Sequence, residues 1–366
     1  MKPAKILIAL AAGLAFAGSA HAQIRIGVAG PITGSEAAVG AQLQAGAKAA
    51  VEDINAKGGV NGKKIELIIG DDACEPKQAT SVAQKMAADK VVFVAGHYCS
   101  SSSIPASKVY GEEGILQVTP ASTNPKFTDE GSWNTFRTCG RDDQQGAVAG
   151  KYLADKYKGK KVAILHDKST YGKGLADETQ KAMNAAGLKE VMYEAYTKGD
   201  KDFTALVSKL KNAAVDAVYV GGYYNEVGTI LRQMRDQGLG AQVLSGDAVA
   251  TEQFWTITGP AGAGAMITFA PKAEDIPANK ALVERLLAAK QPVEGYVLYT
   301  YAAVQVWAQA ANKAGTVEAK KVAEALRAGE WDTVIGKLKY DKKGDVASDN
   351  NYVWYVWKDG KYNQIP

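Results

Sequence analysis

IRIGVA (residues 24–29), a helical run ending at Gly58-Gly59, and KIELIIG (residues 64–70) form the succession that decides the fold. In the helical run Leu43, Ala47, Ala50, Val51 and Ile54 recur on one face, while the flanking runs are short, apolar and β-branched. The next segment repeats the unit: Ala79, Val82, Ala83 and Met86 lie at helical spacing, and strands are expected at 91–95 and 115–119 with a helix between them. Repeated strand-helix units force a parallel sheet with helices on both faces.

Working outward, TCGRDD (residues 138–143) interrupts the apolar pattern and offers an aspartate as helix cap, after which the alternation restarts. Strands are expected at 162–166, 191–196, 217–221 and 243–245. Between them lie a helix carrying Phe203, Leu206, Val207 and Leu210 and another carrying Val227, Ile230, Leu231 and Met234 before Gly238. After a strand at 265–269 come three helical patterns (278–290, 297–313, 317–328), a strand at 334–340, a turn at 341–344 and an aromatic strand at 352–357. These later elements lack a repeat of their own and are best housed on the two sheets already built, with several crossings that act as a hinge. The expected fold is α/β, two doubly wound parallel-sheet lobes joined by a multi-strand hinge. Lobe 1 takes 23–141 plus 271–348, and lobe 2 takes 142–270 plus 349–366. At 366 residues the chain exceeds what one hydrophobic core usually serves.

Lys2 and Lys5 precede an apolar run over 6–18 and the small-residue site Ala20-His21-Ala22, the pattern of a cleaved secretory signal peptide over 1–22. The run is shorter than the ~20 residues a spanning helix needs. Basic residues number 43 against 39 acidic, and two of those lysines go with the leader. Near-neutrality without a clustered basic face argues against nucleic acid as a partner. In an oxidising compartment two of Cys74, Cys99 and Cys139 can pair. Cys74 and Cys99 are favoured because each follows a predicted strand at its carboxyl end; such a bridge adds roughly 3–4 kcal/mol in the chain-entropy account. Beyond the leader only His97 and His166 remain, neither at ligand spacing, so no metal site is expected.

No G-x-G-x-x-G follows the first strand, and neither G-x-x-x-x-G-K-[ST] nor G-x-S-x-G occurs. No cofactor and no catalysis are therefore expected. Small hydroxyl residues instead stand at strand carboxyl ends, where open α/β sheets bind ligands. Cys99 to Ser103 open the helix after the third strand, and Ala121-Ser122-Thr123 follow the fourth. Hydroxyls and free N–H groups at a helix start suit a carboxylate, although they equally serve as ordinary caps. In the second half Tyr171, Tyr223 and Asp247 occupy matching places. The aspartate can accept an ammonium and the tyrosines can wall a pocket; a loop cap and core packing are their plain alternatives. An anion site on one lobe and a cation site on the other suit a zwitterionic amino acid.

The segments DDAC (71–74), CSSS (99–102), TPA (119–121), HDK (166–168), YG (171–172) and GGY (221–223) resemble the periplasmic Leu/Ile/Val-binding proteins, receptors of ABC importers with the type I periplasmic-binding fold. The resemblance runs from about Ile24 to the carboxyl terminus. It implies that Ser100, Thr123 and the backbone beside Ala121 hold a ligand carboxylate, and that Asp247, where relatives often have glutamate, takes the ammonium. It further implies that Tyr171, Tyr223 and Tyr296 border the side chain and that Cys74 pairs with Cys99. Val39 stands where relatives carry a large aromatic and Tyr98 where leucine is usual, which leaves the pocket's shape open. The expected function is capture of a neutral aliphatic amino acid (Leu, Ile or Val) by a monomeric periplasmic receptor that delivers it to membrane permease components. An amino-acid sensor, or a receptor for another neutral or aromatic amino acid, is the alternative.

Overall fold

The computed structural model describes residues 23–348 and 352–365. The leader over 1–22, and residues 349–351 and 366 of the expected second lobe, lie outside the described residues.

The first sheet is made by β1 (Ile24–Gly30), β2 (Ile65–Asp71), β3 (Phe93–Gly96), β4 (Leu116–Thr119) and β5 (Thr135–Arg137). Between these strands run α1 (Ala37–Ala56), α2 (Pro76–Ala88), α3 (Ser100–Glu112) and the single turn α4 (Lys126–Asp129). The order is β2-β1-β3-β4-β5, parallel throughout. With helices on both faces, β3 and β4 are buried at every residue, as their continuous apolar runs require.

The chain then builds α5 (Asp142–Lys156), β6 (Val162–His166), α6 (Thr170–Ala185), β7 (Met192–Ala195), α7 (Thr204–Asn212), β8 (Ala217–Gly221), α8 (Tyr224–Asp236), β9 (Gln242–Ser245), α9 (Glu252–Thr258) and β10 (Met266–Phe269). Its parallel strands repeat the first order, β7-β6-β8-β9-β10. Of the late helices α10 (Lys280–Ala288), α11 (Val297–Ala314) and α12 (Ala319–Ala328), the last two return to the first sheet, and α10 is tied to α1 by Arg285 and Asp53. They are followed by a small hairpin, β11 (Glu330–Thr333) and β12 (Gly336–Lys339). The tail, β13 (Val353–Lys358) and β14 (Lys361–Gln364), adds two antiparallel strands beside β10.

Gly46 makes the return of α11 possible. A Cβ at that position would fall 2.1 Å from the carbonyl oxygen of Val297, so only glycine lets α1 and α11 approach this closely. The strand expected at 334–340 is β12, which starts two residues later; β11, not expected from the sequence, pairs with it across the turn at 334–335. In both sheets the strand order reverses next to the first strand, at β1/β3 and at β6/β8, the place where open α/β folds bind ligands.

Cys74 and Cys99 are joined, their Cα atoms 5.5 Å apart, tying the loops after β2 and β3. Cys139 is free and buried. No helix among the described residues is long and apolar enough to cross a membrane.

Candidate functional site

Loops at the carboxyl ends of the two sheets face one another and touch. Tyr224 Oη and Asn225 Nδ2 both donate to the carbonyl of Ser35 at 2.7 Å, and Asn124 Nδ2 donates to the carbonyl of Thr170 at 2.8 Å. Between them lies a small cavity lined by Tyr98, Ser100, Ala121, Tyr171, Tyr223, Asp247 and Ala248. All but Ala248 are residues that sequence reasoning singled out.

One end of the cavity is acidic. Asp247, just past β9, is 3% exposed; Tyr171 Oη donates to its Oδ1 at 2.7 Å and Tyr296 Oη to its Oδ2 at 2.5 Å. Gly246 allows this, because a Cβ there would lie 2.7 Å from Tyr171 Oη. Burial raises the Asp247 pKa, the two phenol hydrogen bonds oppose that rise, and no described basic side chain forms an ion pair with it. A buried carboxylate held only by neutral donors is a ready acceptor for a cation.

The other end presents the start of α3. Cys99 is its extended N-cap and Ser100 its first residue, so the positive end of the helix dipole opens on the cavity. Ser100 Oγ accepts from the backbone of Asn124 at 3.3 Å. Thr123 Oγ1 is buried. It lies beside the buried carboxyl of Asp142, which burial first and the Asp247 charge second push well upward.

Tyr98, Tyr223 and Tyr171 form the wall, with centroids 5.7 Å apart for Tyr98–Tyr223 and 5.2 Å for Tyr171–Tyr223. Tyr296 stacks edge-on against Tyr98 at 5.6 Å and borders a second small cavity that also reaches Asp247. Two other named residues stand back from the wall. The Ser122 hydroxyl bonds the carbonyl of Tyr98 and Ser103 Oγ, at 2.8 and 2.6 Å. Val39 is buried in the core within α1. His97 is structural: its ring bonds Asp72 and Tyr110 at 2.5 and 3.0 Å.

Sequence reasoning missed the buried acids Glu36, Asp167 and Glu226 and the neighbouring Lys198, because their burial and pairing arise from tertiary packing. Glu36 is raised to about 7 and Asp167 to about 6, each by burial first. Glu274 and Glu294 are likewise raised to about 7 by burial. A group with a raised folded pKa binds its proton more tightly folded than unfolded. Its contribution is therefore fully present below the unfolded value and fades as pH rises towards 7. Asp71, Asp129 and Asp143 are lowered, Asp129 to about 2, and their contributions are lost only in stronger acid. Thermal unfolding of the ligand-free protein should therefore occur at a higher temperature at pH 5.5 than at pH 8.5. A midpoint that rises between those two values would refute this distribution of buried acids.

Two strand-end faces meeting on a shared cavity, with chain crossings between the sheets, define the class of two-lobed ligand-binding proteins. Over residues 23–361 the sequence matches the periplasmic binding protein family, and the chain belongs to it. It is 52% identical, over 98% of its length and 97% of the relative's, to Leu/Ile/Val-binding protein homolog 1 of Brucella suis biovar 1. A leucine binding protein from Thermotoga maritima superposes with a TM-score of 0.85 at 28% identity, covering 94% of this chain and 98% of that one. The branched-chain amino acid transporter substrate binding protein of Streptococcus pneumoniae, in complex with isoleucine, gives 0.84 at 26% identity, covering 94% and 100%.

Proposed function

We propose that this protein is the extracytoplasmic receptor of an ABC importer and binds a branched-chain amino acid, leucine, isoleucine or valine, between two closing lobes. The observation that carries the reading is the pairing of unlike ends across one cavity: Asp247 without a basic partner, and across from it the start of α3 with Ser100. A zwitterion supplies the missing cation and anion together. The names of the relatives support the same ligand class. In this reading residues 1–22 are removed on export to the periplasm, and the lobes divide as 23–141 plus 271–348 and 142–270 plus 349–366. The receptor works as a monomer that hands its ligand to the permease without catalysing a reaction.

Calorimetric titration with leucine, isoleucine and valine tests the proposal. Saturable binding, with the amino acid recovered chemically unchanged, is expected. Absence of binding by all three would remove it.

A further inference from the structure

Lys198 stands in the loop after β7 of the second sheet, and its Nζ lies 3.0 Å from Sγ of Cys74, in the loop after β2 of the first. The same ammonium sits over the face of the Tyr223 ring, 4.6 Å from its centroid. Tyr223 lines the cavity and Lys198 does not, so the lysine backs the wall from behind. Cys74 and Tyr223 are 3% and 2% exposed. One side chain thus spans the seam between the two halves directly behind a wall residue.

Both ends of the span are held in place. The N–H of Gly199, next to Lys198, donates to the buried Glu226 Oε1 of α8 at 2.9 Å. The N–H of Cys74 donates to the buried Asp72 Oδ1 at 2.7 Å, and Asp72 Oδ2 bonds the His97 ring at 2.5 Å. Through its disulfide Cys74 is tied to Cys99, the N-cap of α3, whose first residue Ser100 lines the cavity. With the halves apart, the ammonium would keep its ring but lie open to water. With Cys74 against it, the contact between cation and ring is shielded and correspondingly stronger. A contact that is stronger when the halves are together shifts the population towards that arrangement.

We propose that Lys198 is a latch, a positioning residue that favours the joined arrangement of the two halves and so slows release of the bound amino acid. The inference rests on the reading of the cavity as an amino-acid site. Because the shielded contact forms only once the halves have met over the ligand, its loss acts on the release rate koff and leaves the association rate kon nearly unchanged.

The test is stopped-flow measurement of kon and koff for leucine, isoleucine and valine with the parent, Lys198→Met and Lys198→Arg. Methionine keeps an apolar stem and removes the charge, whereas arginine keeps a cation that stacks on an aromatic face. In Lys198→Met koff is expected to rise about fivefold, with kon held within about twofold. The ligand-free thermal midpoint should stay within about 2 °C of the parent's, as for a substitution outside the core. Lys198→Arg should return koff to within about twofold of the parent's. A rise in koff below about threefold in Lys198→Met, or a Lys198→Arg protein that releases ligand as fast as Lys198→Met, would overturn the proposal. If none of the three amino acids binds the parent, the inference falls together with the reading on which it rests. If they bind and koff stays fixed, the inference alone falls.

Discussion

Replacing Asp247 by alanine is expected to weaken amino-acid binding about 30-fold or more, the equivalent of about 2–5 kcal/mol. The α-ammonium of a neutral amino acid would enter the cavity and find no counter-charge. Tyr171 and Tyr296 would lose their common acceptor at the same time. Asp247→Asn separates these two losses, since its amide oxygen still accepts from a phenol while the charge is gone; it too should bind poorly. Calorimetry with the amino acid that binds the parent best decides the matter. A dissociation constant within about threefold of the parent's in both variants would exclude the ammonium role and reduce Asp247 to a structural anchor for the two phenols.

Asp345→Ala is expected to cost about 3–5 kcal/mol of stability, the usual consequence of removing one partner of a buried ion pair. Arg137 is completely buried, with Nε 2.6 Å from Asp345 Oδ1. Its two Nη groups donate to the carbonyls of Ser122 and Asn124, which flank Thr123. Arg141 reaches the second Asp345 oxygen at 2.7 Å. Without Asp345 the Arg137 charge stays in the interior uncompensated, and the loop that presents Thr123 loses its brace. Chemical denaturation should show the loss of stability, and affinity should fall with it. A change under about 1 kcal/mol would mean that the guanidinium is satisfied by the carbonyls alone.

Much of this arrangement is written in local pattern. Fully buried parallel strands read as continuous apolar runs, so β6 and β8 have the bounds expected from the sequence. The strands missed are those without such a run: β5 has three residues, Thr-Phe-Arg, β11 is Glu-Trp-Asp-Thr, and β14, Lys-Tyr-Asn-Gln, is a polar edge strand. Cavity residues were legible because strand carboxyl ends converge at a switch point, which brings Ser100 and Asp247 together from opposite halves. The charged surroundings were not. Glu36 looks like any helix-start acid in the sequence, and only the closure of α8 over the Ser35 loop buries it. Val39 entered through resemblance alone; it is buried in α1 and is not among the residues that line the cavity.

The central claim is that one small molecule satisfies both ends of the cavity at once. The most direct measurement is calorimetric titration with leucine beside two truncated forms of it, 4-methylpentanoate, which lacks the ammonium, and leucinamide, which lacks the carboxylate. The account predicts that leucine binds and that each truncated form binds at least about 100-fold more weakly, because each leaves one buried end unpaired. Binding of 4-methylpentanoate within about threefold of leucine would contradict it.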